Sequence, residues 1–388
     1  MGQQMISKWF SEYGKRSFIG FGEYFEGNAP DIPLTKLLNL SDEEIRTFTK
    51  DLFDSNELSK DADIQALLTE LSRGINALFQ FQDILSVSVD TDLINQHYPY
   101  YESLVYLRES VVSWLDRNVL ASLTLLRPFL ELSVLHLYWY LICKESDNKQ
   151  YYDWLKRDKG KPTFQDALNY VFKNMPAKGL VSEQRLQELE QSIRNIYKGL
   201  CAYNHTPKMN ESIAARSGGF GNISLESFLY YLHVTTLLLR QVIYLFILIY
   251  PMSLFPVERH KKWGFGGPVG LFFDKTDYMR LEAYIGLQNI TTLKQDLNSI
   301  PEVQSLIEWF DSLPTLTSEQ INADWKQLEQ ANPAFKKSNA KSLPERLALE
   351  KSLRRSRGWA LNYVVDHIQD VEITEEILER LKRRVKDW

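Results

Sequence analysis

Residues 119–143 read VLASLTLLRPFLELSVLHLYWYLIC, and this stretch decides the fold. It is apolar almost throughout, interrupted by Arg127, Pro128, Glu131 and His136. A membrane-spanning helix needs about 20 apolar residues with few charges, and a central arginine costs roughly 2.5–3.5 kcal/mol on insertion scales. The stretch therefore predicts a buried helix of a large helical domain rather than a membrane span. Because Pro128 lacks an N–H, we expect it to kink the helix or to move the helix start to near Asn118.

A second apolar stretch, residues 228–250, reads FLYYLHVTTLLLRQVIYLFILIY. It also carries an arginine near its middle, Arg240, together with His233 and Gln241. The same argument predicts a second core helix and no membrane partner. The alternative, a membrane-associated helical protein, predicts that the chain sediments with membranes even at high salt.

The composition is that of an intracellular globular protein. With 388 residues and 44% hydrophobic side chains, the chain can bury a sizeable core. A net charge of −5 argues against a protein that coats nucleic acid with its whole surface, although it allows a local basic face. Only Cys143 and Cys201 are present, far apart, so no disulfide framework or CxxC motif exists. The N-terminus has no apolar signal segment, and we expect a cytoplasmic location.

Apolar residues recur at helical spacing nearly everywhere, which predicts an all-α fold. The expected architecture is a large helical bundle with a smaller C-terminal helical region. A polar, glycine-containing loop at 205–224 and a proline-rich break at 251–273 interrupt the pattern. We therefore divide the chain into an N-terminal helical region (1–96), a hydrophobic core (97–255) and a C-terminal helical region (256–388). GFGGPVGLFF (264–273) is predicted to be a buried loop or one short hairpin.

Arg127 and Glu131 are four residues apart, so both side chains lie on one face of the predicted helix. His136 is nine positions from Arg127 and falls on the opposite face. Two interpretations are open. The pair either forms a buried ion pair that fixes the helix register, or it lines a polar pocket within the bundle.

Two further features could add to such a site. Glu226, His233 and Arg240 recur every seven residues on one helix face, with Tyr230 and Tyr244 on the same side. This stripe could be functional, or it could be a polar seam between packed helices. His205 ends another predicted helix at the mouth of the 205–224 loop, where it could be functional or could simply cap the helix.

A basic segment spans residues 336–357, where eight cations face only Glu345 and Glu350. Such a run can be an ordinary solvated helix face, or it can contact nucleic acid or an acidic partner surface. The eight cations are Lys336, Lys337, Lys341, Arg346, Lys351, Arg354, Arg355 and Arg357.

The common catalytic and cofactor motifs do not occur in the sequence. It contains no phosphate-binding GxxxxGK[ST] loop, no HExxH, no GxSxG and no zinc-spaced set of cysteines and histidines. GFGGPVG lacks the strand–helix context of a phosphate loop, and Arg259 to Lys262 nearby are expected to form a surface turn. We therefore expect no cofactor and no metal.

Two segments, RPFLELSVLHLYWYLICKE and IYKGLCAYNHTP, resemble an uncharacterised bacterial helical family related to the HEPN domains. That family has an Arg-x-x-x-Glu pair on one core helix and a small-x-x-His ending on a later helix. The matching residues are Arg127, Glu131 and His205, with Tyr203 and Asn204 beside the histidine. The resemblance covers residues 100–250.

The resemblance implies a helical, often dimeric protein of a toxin or anti-phage system. Catalytic HEPN proteins cleave RNA with an Arg and a His separated by four to six residues, whose cationic groups stabilise the transition state. None of the six histidines here has an arginine at that spacing. The first expectation is therefore a non-catalytic binding or structural subunit of a bacterial complex in antiviral defence. Its expected partners are other protein subunits, such as a nuclease or an ATPase, and DNA or RNA, and a homodimer is also expected.

The alternative expectation is an RNA-cleaving toxin or effector with a non-contiguous site. Its candidate catalytic residues are His205, Arg127, Glu131, His233 and Arg240.

Overall fold

A computed structural model of the chain describes residues 62–85, 97–115, 118–145, 160–204, 225–265 and 271–331, with single positions at 150–154 and 341–350. The α-helices in these ranges are α1 (Ala62–Gln80), α2 (Tyr98–Leu115), α3 (Val119–Glu145), α4 (Phe164–Asn174), α5 (Glu183–Asn204), α6 (Leu225–Ile249), α7 (Arg259–Trp263), α8 (Lys275–Ile285), α9 (Leu287–Leu297), α10 (Pro301–Ser312) and α11 (Ser318–Ala331). Short 3₁₀ turns follow α1 (Phe81–Asp83) and α6 (Pro251–Leu254).

The predicted all-α fold is confirmed. The described ranges contain no β-strand, only an isolated bridge between Lys178 and Val181. No hairpin forms at the described ends of the 264–273 segment. There the Phe273 carbonyl accepts from Val257 N at 2.9 Å, and Leu271 N donates to the Ile84 carbonyl at 2.9 Å.

The opening stretch forms one helix, α3, that starts directly after Asn118 and continues through Pro128 to Glu145. The Asn118 side chain accepts a hydrogen bond from Ala121 N at 3.1 Å, as an N-cap does. The helix therefore begins next to Asn118, one of the two outcomes expected, and Pro128 lies inside it. α3 packs beside α2 and also contacts α4, α5 and α6, which explains why it is apolar on nearly every side.

A buried polar contact joins α2, α3 and α6 near one end of the bundle. The Ser110 hydroxyl donates to the Ser122 carbonyl at 2.7 Å and lies 2.8 Å from the Tyr231 hydroxyl. The Tyr231 ring stacks on Trp114, with 5.1 Å between ring centroids. All of these side chains are buried, so the hydroxyl groups satisfy one another where water has no access.

α1 packs across α6 and α8. Gly74 on α1 allows the close approach, because a Cβ atom there would lie 2.9 Å from the Tyr284 ring of α8. The main hydrophobic core includes buried residues from Leu71 to Phe310, on both sides of position 255. The division of the chain into three regions stays a prediction, and residues 1–61 and 351–388 lie outside the described residues.

A smaller hydrophobic cluster holds the last described helix. Trp325 of α11 packs against Phe265, which follows α7, and against Ile321. The Phe265 N–H donates to the Asp324 carboxylate. This hydrogen bond and the aromatic contact fix α11 against the end of α7.

Two helices, α3 and α6, are long and apolar enough to cross a membrane by length and composition. The most apolar windows of these helices are 56% and 67% buried inside the protein, respectively. A mostly buried core helix passes the same test of length and composition as a membrane span.

Candidate functional site

The Arg127–Glu131 pair predicted from the sequence is present on α3. Arg127 Nε donates to Glu131 Oε1 at 2.8 Å. The two side chains are 26% and 31% exposed, so the ion pair is half-buried rather than fully enclosed. Water can therefore reach part of both groups.

A third residue, Tyr197 of α5, completes this group. Its hydroxyl donates to Glu131 Oε1 at 2.9 Å, and the Arg127 guanidinium lies 5.7 Å from the centre of the Tyr197 ring. The other partner of the ring is Phe164 of α4, stacked at 3.8 Å. We call Arg127, Glu131 and Tyr197 the α3–α5 cluster, because its hydrogen bonds join these two helices.

Burial and the hydrogen bonds of the α3–α5 cluster keep Arg127 and Tyr197 protonated. Desolvation, followed by the bond to Glu131, raises the pKa of Tyr197 above the usual range of a phenol. The bond to Glu131 also raises the pKa of Arg127. At neutral pH Arg127 is therefore a guanidinium and Tyr197 a neutral phenol.

His205 follows α5, whose last residue is Asn204, and lies outside the described residues. The stripe on α6 is described from Tyr230 onward, and there Tyr230, His233 and Arg240 are exposed. Arg240 pairs with Glu70 of α1, and the Tyr230 hydroxyl accepts from Tyr203 at 2.6 Å. The structure thus places Arg127 and Glu131 against α5, and Arg240 against α1.

Two cations of the basic segment are described. Lys341 is exposed. Arg346 instead donates from Nη1 to Asn322 Oδ1 at 3.0 Å, and its guanidinium lies 5.4 Å from the centre of the Trp325 ring. Arg346 therefore packs on α11, while the other six cations lie outside the described residues.

The cations before the glycine-rich segment form a short helix, α7, where a surface turn was expected. Lys261 pairs with Glu258 at 2.6 Å. Lys262 Nζ donates to the Asp311 and Leu313 carbonyls at the end of α10, at 3.1 and 2.7 Å. These contacts satisfy the last carbonyls of α10, which gives Lys262 a structural role.

No group of three or more His, Cys, Asp or Glu side chains in the described ranges could hold a metal ion. Cys143 is not an activated thiol, because burial raises its pKa to about 12. An open groove of about 580 Å³ runs between α5 and α6. Its lining residues, all but one of them on α5, are Gln184, Gln187, Glu188, Gln191, Ser192, Asn195, Ile196 and Leu237.

Sequence reasoning identified Arg127 and Glu131 but missed Tyr197. The two helix residues are neighbours by local periodicity, whereas Tyr197 is 66 positions from Glu131 and meets it only through packing. No local pattern distinguishes Tyr197 from the other tyrosines among the 20 in the chain. No protein-family model, no curated protein and no solved structure matches this chain.

Proposed function

We propose that the protein is a non-catalytic binding or structural subunit of a bacterial intracellular complex. The observation that carries this proposal is that both described candidate catalytic arginines are engaged in contacts within the fold. Arg127 bonds to Glu131 beside Tyr197, and Arg240 pairs with Glu70 on another helix. In each case the neighbouring carboxylate offsets positive charge that would otherwise be available to a phosphoryl-transfer transition state.

The cellular context that we propose is anti-phage defence in the cytoplasm, which the resemblance of residues 100–250 to HEPN-related proteins supports. The proposed partners are other protein subunits, with a nuclease or an ATPase as candidates. The basic segment 336–357 would contact an acidic partner surface, DNA or RNA. Its exposed member among the described residues, Lys341, is available for such a contact.

The alternative function is RNA cleavage at the end of α5, and one observation favours it. Tyr197 of α5 contacts Arg127 and Glu131, and His205 comes eight residues after Tyr197 in the sequence. The α3–α5 cluster is also partly exposed. A histidine near a guanidinium could move protons and stabilise charge during RNA cleavage.

Incubation of the purified protein with labelled single-stranded RNA separates the two functions. We expect no cleavage by the wild type, by His205→Ala or by the matched control His260→Ala, which replaces a histidine of α7 outside the candidate site. Cleavage by the wild type and by His260→Ala that disappears in His205→Ala would establish the nuclease instead. Gel electrophoresis of the RNA over time is the measurement.

The basic segment is tested by the triple substitution Arg354→Ala, Arg355→Ala and Arg357→Ala. We expect weaker binding to duplex DNA or RNA, and a slope of log K against log salt that falls by about 1 for each phosphate that the variant no longer neutralises. Fluorescence anisotropy at several salt concentrations measures both quantities. Lys198→Ala, an exposed lysine on α5, is the control, and binding by the triple variant that equals the wild type would contradict the proposal.

A further inference from the structure

The basic segment 336–357 contacts the rest of the fold through Arg346. Its Nη1 donates to Asn322 Oδ1 of α11 at 3.0 Å, and its guanidinium lies 5.4 Å from the centre of the Trp325 ring. Arg346 is half-buried by these contacts, whereas Lys341 of the same segment is exposed. We call Arg346, Asn322 and Trp325 the α11 anchor.

The α11 side of the anchor is itself fixed to the fold. Trp325 is 1% exposed, and its ring meets Phe265 edge-on, with 4.9 Å between centroids. The Phe265 N–H donates to Asp324 of α11. Leu347, which follows Arg346, packs against the same hydrophobic cluster. Arg346 and Leu347 therefore dock on a surface that the buried aromatic contacts hold in place.

A helix start precedes Arg346. Glu345 Oε2 accepts from Lys341 N at 2.7 Å and from Ser342 N at 2.8 Å. Glu345 N lies 3.4 Å from the Ser342 hydroxyl, to which it donates. This reciprocal contact is a capping box, which satisfies the backbone N–H groups at the start of a helix. The path of the chain at this point is thus set by local hydrogen bonds and by the α11 anchor together.

The cations that follow the anchor suit a polyanion. Residues 351–357 read KSLRRSR, with four cations and no carboxylate. A run of positive charge without carboxylates matches the repeated phosphates of nucleic acid, and each phosphate that a cation neutralises adds to the salt dependence of binding. The Arg346 guanidinium, in contrast, already lies over Trp325 and donates to Asn322.

We propose that Arg346 is a positioning residue: it holds the basic segment on α11, so that the cations after it meet the phosphates of nucleic acid, and it does not contact phosphate itself. This inference rests on the proposed function of the basic segment. A segment that is held in place before binding loses less conformational entropy when its ligand arrives. The α11 anchor therefore raises the affinity without adding to the number of phosphates neutralised.

Arg346→Ala is expected to weaken binding to duplex DNA about 3- to 10-fold, the effect of losing one cation–π contact and one hydrogen bond. The slope of log K against log salt should not change, because no phosphate contact is lost. If Arg346 did neutralise a phosphate, the slope would fall by about 0.9. Fluorescence anisotropy with the full-length protein at several salt concentrations measures both quantities.

Asn322→Ala removes the same hydrogen bond from the α11 side without changing the charge. We expect about 2- to 5-fold weaker binding and an unchanged slope. The double variant of Asn322 and Arg346 should bind no more weakly than Arg346→Ala, because both substitutions remove one contact. Gln327→Ala, which truncates another exposed amide of α11, is the matched control and should bind as the wild type does.

Three results would overturn the positioning role: unchanged affinity of Arg346→Ala, a slope that falls with this substitution, or losses of the two single variants that multiply in the double variant. A wild type that binds no duplex DNA would overturn the nucleic-acid contact itself, and the positioning role with it. Amide exchange at residues 345–347 distinguishes that failure from a missing anchor. Exchange that is faster in Arg346→Ala and Asn322→Ala than in the wild type shows the anchor, and equal exchange in all three refutes it.

Discussion

Replacement of Phe246 by alanine is expected to lower the free energy of unfolding by about 3–5 kcal/mol. Phe246 is fully buried on α6, and its ring lies 5.2 Å from Phe81 and 5.8 Å from Tyr100. Removal of the ring leaves a cavity between three helices, and close-packed neighbours can fill such a space only in part. Urea-induced unfolding followed by circular dichroism measures the decrease.

The matched control for this cavity is Leu237→Ala on the same helix. Leu237 is 38% exposed, so its truncation removes less buried surface, and the expected decrease is about 1 kcal/mol or less. Similar decreases in the two variants would show that the interior of α6 is not packed as described.

Replacement of Gly264 by alanine is expected to lower the free energy of unfolding by about 2–5 kcal/mol. Backbone strain contributes about 1–3 kcal/mol of this decrease. The rest comes from the loss of a hydrogen bond to a carboxylate. Gly264 has φ of 64° and ψ of −146°, a conformation that L-residues with a side chain rarely adopt. A Cβ atom there would also press on the Asp324 carboxylate, with 3.0 Å to Cγ. That carboxylate accepts from Phe265 N, so α11 would lose its link to the end of α7.

Gly179→Ala is the control that measures the cost of backbone strain without a steric contact. Gly179 also has a positive φ, 82°, but a Cβ atom there has no neighbour within 4 Å. We expect a decrease of about 1 kcal/mol from the backbone alone, and no faster hydrogen exchange in α11. Equal decreases in the two variants, or unchanged exchange in α11 of Gly264→Ala, would contradict the contact with Asp324. Thermal unfolding and amide exchange are the measurements.

Local sequence patterns were enough for the long helices, but not for α7, where a turn was expected. α3 and α6 follow from their long apolar stretches, because hydrogen bonds and side-chain contacts within a helix involve residues three or four positions apart. The Arg127–Glu131 contact was predictable for the same reason. The predicted opposite orientation of His136 also agrees with its contact to Tyr250.

Contacts between distant segments were not predictable. Tyr197 reaches Glu131 across 66 positions, and Arg240 reaches Glu70 across 170. Arg240 is exposed although its helix is very apolar, because α1 and α5 pack on other parts of α6. Helical periodicity alone does not specify where these neighbours pack.

The sequence by itself determined the all-α class, the two apolar core helices and the charge pair on α3, since each depends on spacing along a single helix. Only the tertiary structure decided which polar groups meet. It placed Tyr197 on the charge pair and enclosed His97 and His136 together, because the packing of α2, α3, α5 and α6 sets those distances.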